Sequence, residues 1–581
     1  MYVKYKTVNP SNEVAEIINI NACVYELIIK IVYALFRKTS ENWMKFMLKA
    51  NCVYFSKNEI HELDIEYGIN SISNSNIELA TYYLGKDEDV IPIMQTIGFD
   101  KSINIFFLSY GCYDLLKKTS ILFKQKNQQS INIVCMGLAT KLYEKLLLNN
   151  TSIDIAVLGE CDSVLNGLCN SIIKEEDYHK VPGIAYLKNG KLSINMKKEF
   201  LDESIDFNAP KRIIEEKKNR FFHVFGTREC EGYCTFCDRN SLFLNRDENI
   251  KYRPIIDIVK EIDELVKQYD CKFITFSDPT FGGRELKEKL IDLYEILNSK
   301  NYWVQFTMNL RAELIDEEVI DVLCLLKSVG LGKVFIGIES FNETELKLYR
   351  KTASLIDNYN CLRLFNNNHD KLIENYWLEV EYGFINFNPY SSIQSLKNNL
   401  QNIKKWEINN TPYMATSKLT INSLTSITGK VKKDGLIKNF ETNNLSYLFE
   451  HSFDYSFKNN EIEQIYRALN VVREQLSIKN TNGLEFIRNR YYHFFGNDTL
   501  LIEYEKTYKK LKRIINEITN DFCEFVYDNY NGLDFDVLLL KKTKICRKIY
   551  EETEQKMRNL SYKILVRLAK IDEVIYYRSI Y

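Results

Sequence analysis

The segment RECEGYCTFCDRN, residues 228–240, decides the fold because it places three cysteines within eight residues. Cys230, Cys234 and Cys237 follow the spacing Cys-x3-Cys-x2-Cys, which is one thiolate short of a closed four-ligand metal site. Three thiolates can hold three irons of a four-iron, four-sulfur cluster and leave the fourth iron open to a small molecule. The spacing therefore predicts one cluster with an open coordination position.

Two simpler interpretations compete with the cluster. Zinc could take the three thiolates together with His223, although His223 falls inside the predicted strand at 221–226 and zinc motifs usually pair one Cys-x2-Cys with a second. Alternatively, the cysteines could be unligated, but three within eight residues is unexpected in a chain with 14 cysteines among 581 residues. Within the loop, Gly232 allows a tight path and Phe236 supplies an apolar shield.

Composition indicates a soluble globular protein of about three or four domains. The formal net charge is -1, which argues against nucleic-acid binding driven by overall charge. The chain begins without a secretory pattern, and no apolar run is long enough to span a membrane; the nearest, residues 21–36, carries Glu26 and Lys30 and predicts an amphipathic helix. The remaining cysteines are scattered. We therefore expect a reduced, cytoplasmic protein without nucleic-acid or membrane partners.

Residues 1–200 alternate short apolar runs with helical segments, which predicts an α/β domain with a doubly wound parallel sheet. The clearest strands are 102–111, 130–139 and 153–160, and Asn189-Gly190 predicts the turn of a hairpin over 181–195. Two of the strands end in glycine turns, at Gly137 and Gly159, where a backbone can approach a ligand closely. Residues 201–220, rich in lysine, are the predicted linker.

A second alternation over 221–439 predicts a partial (β/α)6 barrel, whose active site would lie at the carboxyl ends of its strands. The strands are predicted at 221–226, 271–278, 302–310, 333–340, 377–387 and, as a sixth, 414–424. Pro254 suits the start of a helix over 253–270, and Gly330 the end of a helix over 317–330. The candidate site residues at the strand ends are the cysteine loop, Asp278, Asn309, Arg311, Glu339 and Ser340.

From residue 440 to 581, Gly and Pro become rare and long charged amphipathic stretches dominate, such as 500–526 and 541–571. This pattern predicts a helical C-terminal domain that caps the barrel and helps to select the substrate, or serves as an interaction platform.

The segment CEGYCTFC, together with the residues around it, resembles the radical S-adenosylmethionine (SAM) superfamily, whose signature is Cys-x3-Cys-x2-Cys with an aromatic residue before the last cysteine. The resemblance spans about 220–440 and is most specific at the cysteines and at GIES, 337–340. FITFSDPTF, 273–281, resembles the second strand of the family but has Pro279 where a second acid is usual. SLTSITGKVKKDGLI, 423–437, resembles the last barrel segment without its proline.

This resemblance implies one 4Fe-4S cluster, SAM bound at its open iron, and a 5′-deoxyadenosyl radical formed by reductive cleavage of SAM. It also implies an electron donor such as flavodoxin or ferredoxin. Glu339 or Ser340 would meet the polar groups of SAM and Arg311 its carboxylate, while Asp278 would contact SAM or orient a neighbouring group.

Residues 131–172 and 181–192 resemble the cobalamin-binding domain that precedes some radical SAM barrels, with CMGLAT and GECD in place of its two strand-end turns. The Asp-x-His-x-x-Gly loop that often supplies a cobalt ligand is not found. We therefore expect a cobalamin bound without that histidine. The cysteines after Cys237 include no close pair, so a single cluster is expected.

Together, these resemblances imply a cobalamin-dependent radical SAM methyltransferase that methylates an unactivated carbon of a small natural product or a ribosomal peptide. One alternative is a radical SAM enzyme without functional cobalamin, performing epimerisation, cross-linking or rearrangement. The alternative from another class is a zinc-stabilised binding protein.

Overall fold

The computed structural model describes residues 48–55, 68–69, 71–72, 77–84, 102–108, 111–149, 152–195, 212, 221–228, 230–241, 250, 252–441, 444–450, 452–476, 483–532 and 535–570. The predicted helix at 21–36 and the predicted linker at 201–220, apart from Arg212, lie outside these residues.

The first sheet has seven strands in the order β2-β1-β3-β4-β5-β6-β7, and the first five of these are parallel. Because the order reverses between β1 and β3, the sheet is doubly wound, and in such sheets ligands bind beyond the carboxyl ends of the strands. The hairpin predicted over 181–195 supplies two antiparallel edge strands. The elements are β1 (Leu48–Phe55), β2 (Ile77–Leu84), β3 (Ser102–Phe107), α1 (Tyr113–Lys126), β4 (Ile131–Cys135), α2 (Tyr143–Leu148), β5 (Ile155–Val157), α3 (Cys161–Ile173), β6 (Ile184–Lys188) and β7 (Lys191–Asn195).

The second sheet has five parallel strands in chain order, β8 to β12, with helices between them. This is the predicted partial barrel. Its elements are β8 (Phe221–Val224), α4 (Ile255–Tyr269), β9 (Phe273–Phe276), α5 (Leu286–Asn298), β10 (Gln305–Arg311), α6 (Glu317–Leu326), β11 (Leu331–Glu339), α7 (Glu343–Tyr349), α8 (Leu355–Asn367), α9 (His369–Ile373), β12 (Glu379–Phe384) and α10 (Ile393–Lys405).

The sixth barrel strand, predicted at 414–424, is reduced to a single parallel bridge between Phe387 and Lys418. Its first residues instead form the short helix α11 (Pro412–Ala415). Thr411 caps this helix by accepting a bond from the Met414 N–H at 3.2 Å, and Pro412 occupies the first turn. Both residues favour a helix start over an extended strand.

From Ile427 onward most of the described residues are helical, in α12 (Ile427–Lys433), α13 (Leu445–Leu448), α14 (Asn460–Leu476), α15 (Leu484–Phe495), α16 (Thr499–Asn529) and α17 (Phe535–Ala569). Helix α15 covers the amino ends of the barrel strands: Phe486 packs edge-on against Phe273, and His493 stacks on Trp303 with the ring centres 4.3 Å apart. The carboxyl ends, where the cysteine loop lies, are therefore on the opposite side from this helix.

Candidate functional site

The cysteine loop follows β8, and two of its thiols converge on Gly232. A Cβ at Gly232 would lie 3.4 Å from the Cys230 Sγ and 3.6 Å from the Cys234 Sγ. The Gly232 N–H donates to the Cys230 Sγ at 3.3 Å, and the Cys237 N–H donates to the Cys234 carbonyl at 3.2 Å. A Cβ at 232 would make ordinary van der Waals contact with both sulfurs, so the glycine leaves the space beside them open.

Neighbouring elements hold the loop through Thr235, which lies between the last two cysteines. Its N–H and hydroxyl donate to the carbonyls of Tyr349 and Leu348, both at 2.8 Å. The Thr235 carbonyl accepts from the Ile427 N–H at 3.0 Å. Phe236 packs edge-on against Tyr349. The loop is thus fixed by the end of α7 and the start of α12, which are far apart in the sequence.

All three cysteines of the loop are partly buried, and burial changes the acidity of two of their thiols. Burial raises the pKa of Cys237 to about 11. Burial also raises the pKa of Cys234, against the opposing effect of the nearby Lys351 ammonium. Iron ligation requires the thiolate forms, so cluster binding would release these protons. Among the described residues, no three His, Cys, Asp or Glu side chains converge on a single metal ion; a four-iron cluster places each thiolate on a separate iron.

Asp278 and Asn309 organise the approach to the loop. The Asp278 carboxylate is fully buried and accepts from the N–H groups of Gly226 and Thr227 at 2.9 and 2.6 Å. Asn309 donates its amide to the Asp278 carbonyl at 2.9 Å. Burial raises the pKa of Asp278 to about 7, although the two N–H groups favour the ionised form. These contacts hold the backbone that leads into the cysteine loop, and both expected roles of Asp278 remain predictions.

Arg311 lies at the end of β10 beside the first cysteine. Its Nε donates to the Glu313 carboxylate at 2.9 Å, and its Nη1 lies 4.0 Å from the Cys230 Sγ. Burial works against the charge, but Glu313 and the thiols raise the pKa of Arg311 above its ordinary value. The guanidinium is therefore a fixed positive charge next to the cysteine loop.

Glu339 ends β11 in a left-handed conformation, with φ 68°, at an irregularity in the pairing with β12. This backbone conformation is unfavourable for residues other than glycine. Because such residues cluster at functional sites, it supports the hypothesis that Glu339 has a functional role. The Glu339 carboxylate is paired with the buried Lys351 ammonium at 3.2 Å. A Cβ at Gly337 would collide with both charged groups. Lys351, in the loop after α7, was not predicted from the sequence.

The side chain of Ser340, the next candidate along the chain, is hydrogen-bonded to other protein groups. Its hydroxyl donates to the Glu345 carboxylate at 2.6 Å and is completely buried. The Asn399 amide oxygen lies 3.3 Å from the same hydroxyl and accepts from the Phe341 N–H. In this structure Ser340 anchors the turn after β11.

The first sheet presents Gly137 and Gly159 at the carboxyl ends of β4 and β5. Both have positive φ, 48° and 74°, and they form an isolated antiparallel bridge. The Thr140 hydroxyl joins the two turns, donating to the Gly137 carbonyl at 2.6 Å and accepting from the Gly159 N–H at 2.8 Å. A Cβ at Gly137 would meet no atom within 4 Å. The glycine thus borders open space at the predicted ligand-binding edge.

The two sheets meet at these edges. The turn Leu138–Leu142 of the first contacts the turn Asp238–Ser241, directly after Cys237. Arg228, two residues before Cys230, makes a buried two-bond ion pair with the Asp162 carboxylate at 3.0 and 2.9 Å, and Glu160 lies 3.6 Å away. No sequence signal predicted this pairing, because the partners are 66 residues apart.

His223, the zinc ligand of the alternative interpretation, is occupied elsewhere. Its Nδ1 is hydrogen-bonded to the Ser277 hydroxyl at 2.8 Å, between β8 and the loop after β9. This contact gives His223 a role in joining adjacent strands and does not favour the zinc site.

Comparison with known families identifies the barrel. Residues 224–372 match the radical SAM superfamily. This part of the chain is a radical SAM domain. A Methanocaldococcus jannaschii protein, provisionally named methylthiotransferase MJ0865, is 26% identical over 280 residues, which are 46% of this chain and 58% of that protein. The three curated relatives that match are covered over only 34% to 58% of their lengths.

Two solved structures share the fold of the chain. One is the cobalamin-dependent SAM radical enzyme OxsB with aqua-cobalamin bound, with a TM-score of 0.64 and 16% identity over 91% of this chain and 81% of OxsB. The other is the radical SAM methyltransferase TsrM from Kitasatospora setae, with cobalamin and a [4Fe-4S] cluster bound. Its TM-score is 0.54, at 11% identity over 67% of this chain and 75% of TsrM. The radical SAM domain implies a 4Fe-4S cluster and SAM, as predicted.

In the part of the chain that the structure describes, every helix is too short or too polar to cross a membrane.

Proposed function

We propose that this protein is a cobalamin-dependent radical SAM enzyme that methylates an unactivated carbon of a natural-product or peptide substrate. The observation that carries the proposal is that two predicted ligand-binding edges, one on the barrel and one on the first sheet, lie next to each other. The cysteine loop of the barrel and the glycine turns of the first sheet lie at one domain boundary, joined by the Arg228–Asp162 pair. The shared fold with OxsB and TsrM supports the same assignment.

The residues present fit the proposed cofactors. Cys230, Cys234 and Cys237 would hold three irons, and Gly232 leaves room beside two of the sulfurs. At the first sheet, Gly137 borders open space that a cobalamin would fill. When bound, these groups supply reductive cleavage of SAM to a 5′-deoxyadenosyl radical and a transferable methyl group.

The chain itself orients the reactants and shields them. Arg311 provides a fixed cation for the carboxylate of SAM, and Glu339 provides an anion for its ammonium group. The Lys351 ammonium, paired with the Glu339 carboxylate, would hold it in place until SAM binds. Asp278 and Asn309 hold the backbone that leads into the cysteine loop.

The remaining parts of the proposal concern partners and location. A cluster of this kind needs an external one-electron donor, and we propose a flavodoxin or a ferredoxin. We place the enzyme in the cytoplasm, where its thiols stay reduced, without nucleic-acid or membrane partners. The helical region over α14 to α17 would contribute to substrate selection.

The test is a turnover assay on anaerobically reconstituted protein supplied with SAM, a reductant, hydroxocobalamin and a panel of peptides and small natural products. We expect 5′-deoxyadenosine by mass spectrometry, together with one substrate that gains a methyl group carrying the deuterium label of methyl-labelled SAM. Both products should vanish in Cys234→Ala. Formation of 5′-deoxyadenosine with a substrate altered in another way would reject methyl transfer and retain the radical chemistry.

A further inference from the structure

The buried ion pair between Arg228 and Asp162 joins the first sheet to the cysteine loop. Asp162 lies in the first turn of α3, three residues after Gly159, and Arg228 lies two residues before Cys230. The arginine and aspartate side chains are only 5% and 11% exposed. A pair so deeply buried is screened little by solvent, and its two parallel bonds fix orientation as well as distance.

Besides this pair and the turn contact between Leu138–Leu142 and Asp238–Ser241, a further set of contacts between the first domain and the rest of the chain lies farther from the cysteines in sequence. At α1, the Gly111 N–H donates to the Phe449 carbonyl at 2.8 Å, and Tyr113 stacks on Phe449. The Ser446 hydroxyl donates to Asp114 at 2.6 Å. These contacts hold the domain to the 445–449 segment, whereas Arg228 reaches the strand-to-loop connection that carries the first cluster ligand.

We propose that Arg228 and Asp162 are positioning residues. They set the distance and orientation between the cluster and the turns at Gly137 and Gly159, where cobalamin would bind. This inference rests on the proposed function for the identity of the second cofactor. Glu160, 3.6 Å from the guanidinium, is a second anion that disfavours any arrangement in which Arg228 leaves the site. Lysine could not replace the arginine, because one ammonium cannot make two parallel bonds to a carboxylate.

The experiment measures the distance from the cluster to the first domain. A nitroxide is attached at Glu144→Cys, on the exposed side of α2, in a background with the half-exposed Cys324 and Cys546 changed to Ser. The reduced cluster should speed the relaxation of the nitroxide in the reconstituted protein. Asp162→Asn, Arg228→Gln and the double variant are compared with the parent, and Arg228→Lys serves as a graded variant.

We expect each single variant to lose most of the relaxation enhancement, and the double variant to lose no more than either one, because the two residues act as one unit. Asp162→Glu, which keeps the charge, should recover part of the enhancement. The matched control is Arg488→Gln, which breaks another buried two-bond pair, with Glu505 at the far end of the barrel. This control should keep the enhancement. Unchanged enhancement in Asp162→Asn and Arg228→Gln would overturn the inference.

A parallel measurement separates this inference from the proposed function. Protein loaded with hydroxocobalamin and then reduced should show spin coupling between Co(II) and the cluster, and the same variants should weaken it. If the parent binds no cobalamin while the variants still lose the nitroxide enhancement, the positioning role stands and the proposed function fails. If cobalamin binds and its coupling is the same in every variant, the positioning role is wrong.

Discussion

At the scale of single residues, the three loop cysteines give the most direct prediction. Cys234→Ala should abolish the brown colour and most of the iron and sulfide of anaerobically reconstituted protein, because a cluster held by three thiolates loses one of its protein ligands. Cys324→Ala is the matched control, since Cys324 is half-buried on α6 and remote from the loop in sequence. Full iron content in Cys234→Ala would show that the ligand assignment is wrong.

The Glu339–Lys351 pair gives a second residue-scale prediction. Lys351→Met leaves the Glu339 carboxylate buried without its cation, which should lower the free energy of unfolding by about 3–5 kcal/mol. Adding Glu339→Gln removes the unpaired buried charge and should restore much of the lost free energy of unfolding. Urea denaturation of the three variants measures both effects. Equal stability of Lys351→Met and the parent would mean that the pair is not closed in solution.

Site residues differ in how far the sequence could predict them. The cysteines carry a spacing signal, and Arg311 and Glu339 fall at strand ends, so a motif and an alternation pattern were enough to select them. Lys351 and Arg228 carry no such signal, because each finds its partner only through the packing of distant segments. Ser340 was selected by its place at a strand end and in the GIES segment, and the hydrogen bond of its hydroxyl to Glu345 carries no signal in the sequence.

At the scale of secondary-structure elements, Gly330 ends the segment that leads from α6 to β11. It has φ 120°, and its carbonyl accepts from the Phe306 N–H at 2.9 Å. A Cβ there would collide with the Val304 carbonyl oxygen. Gly330→Ala should therefore lower the free energy of unfolding by more than about 2 kcal/mol. Thermal or urea denaturation measures the change.

The matched control for that prediction is Gly429→Ala. Gly429 lies within α12, and a Cβ there would meet no atom within 4 Å. Since alanine is the better helix former, this variant should be as stable as the parent or up to about 1 kcal/mol more stable. Equal effects of the two substitutions would contradict the backbone argument at Gly330.

Strand β12 and helix α15 each contribute a largely buried glutamate, Glu379 and Glu485, at the amino ends of the barrel strands. We expect this pair to make the stability of the protein depend on pH. Lys512 lies 3.4 Å from the Glu379 carboxylate and 3.5 Å from that of Glu485. Burial, with the negative charge of Glu379, raises the pKa of Glu485 well above its ordinary value. A raised pKa in the folded state means that stability present below the ordinary pKa is lost as the pH rises through the raised value.

Glu485→Gln imitates the protonated form and should therefore remove most of this pH dependence. We expect the stability of the parent to fall relative to that of the variant as the pH rises, as measured by urea denaturation across pH. Asp498→Asn, at a half-exposed helix cap with a lowered pKa, should not show that gain in stability as the pH rises. If the stability of the parent is constant as the pH rises, the raised pKa of Glu485 is contradicted.

Most elements followed from periodicity, and the exceptions have physical causes. The three predicted strands of the first domain, the barrel strands β8 to β12 and the long helices α16 and α17 are observed. Strands β1 and β2 were not predicted. The polar residue Asn51 interrupts the apolar pattern of β1 (Leu48–Phe55), and its side chain can be buried because its amide donates to the Asn104 side chain at 2.9 Å. The sixth barrel strand was wrong as a continuous strand, because Thr411 and Pro412 start a helix there.

At the scale of the whole molecule, the chain places its two proposed cofactor-binding edges against each other and covers the opposite end of the barrel with α15. The Arg228–Asp162 pair and the turn contact beside Cys237 join the edges, and Tyr113–Phe449 stacking holds the first domain to the region that precedes the long helices. This arrangement favours an enzyme whose two cofactors act on one substrate.

The central claim is that a cluster and a cobalamin are held together by one chain. The measurement that tests it most directly is the iron, sulfide and cobalamin content of anaerobically reconstituted protein, incubated with hydroxocobalamin and freed of unbound ligand. The account predicts one four-iron cluster and one tightly held cobalamin per chain. One cluster without cobalamin would contradict the account and leave the first domain as a docking module of a radical SAM enzyme.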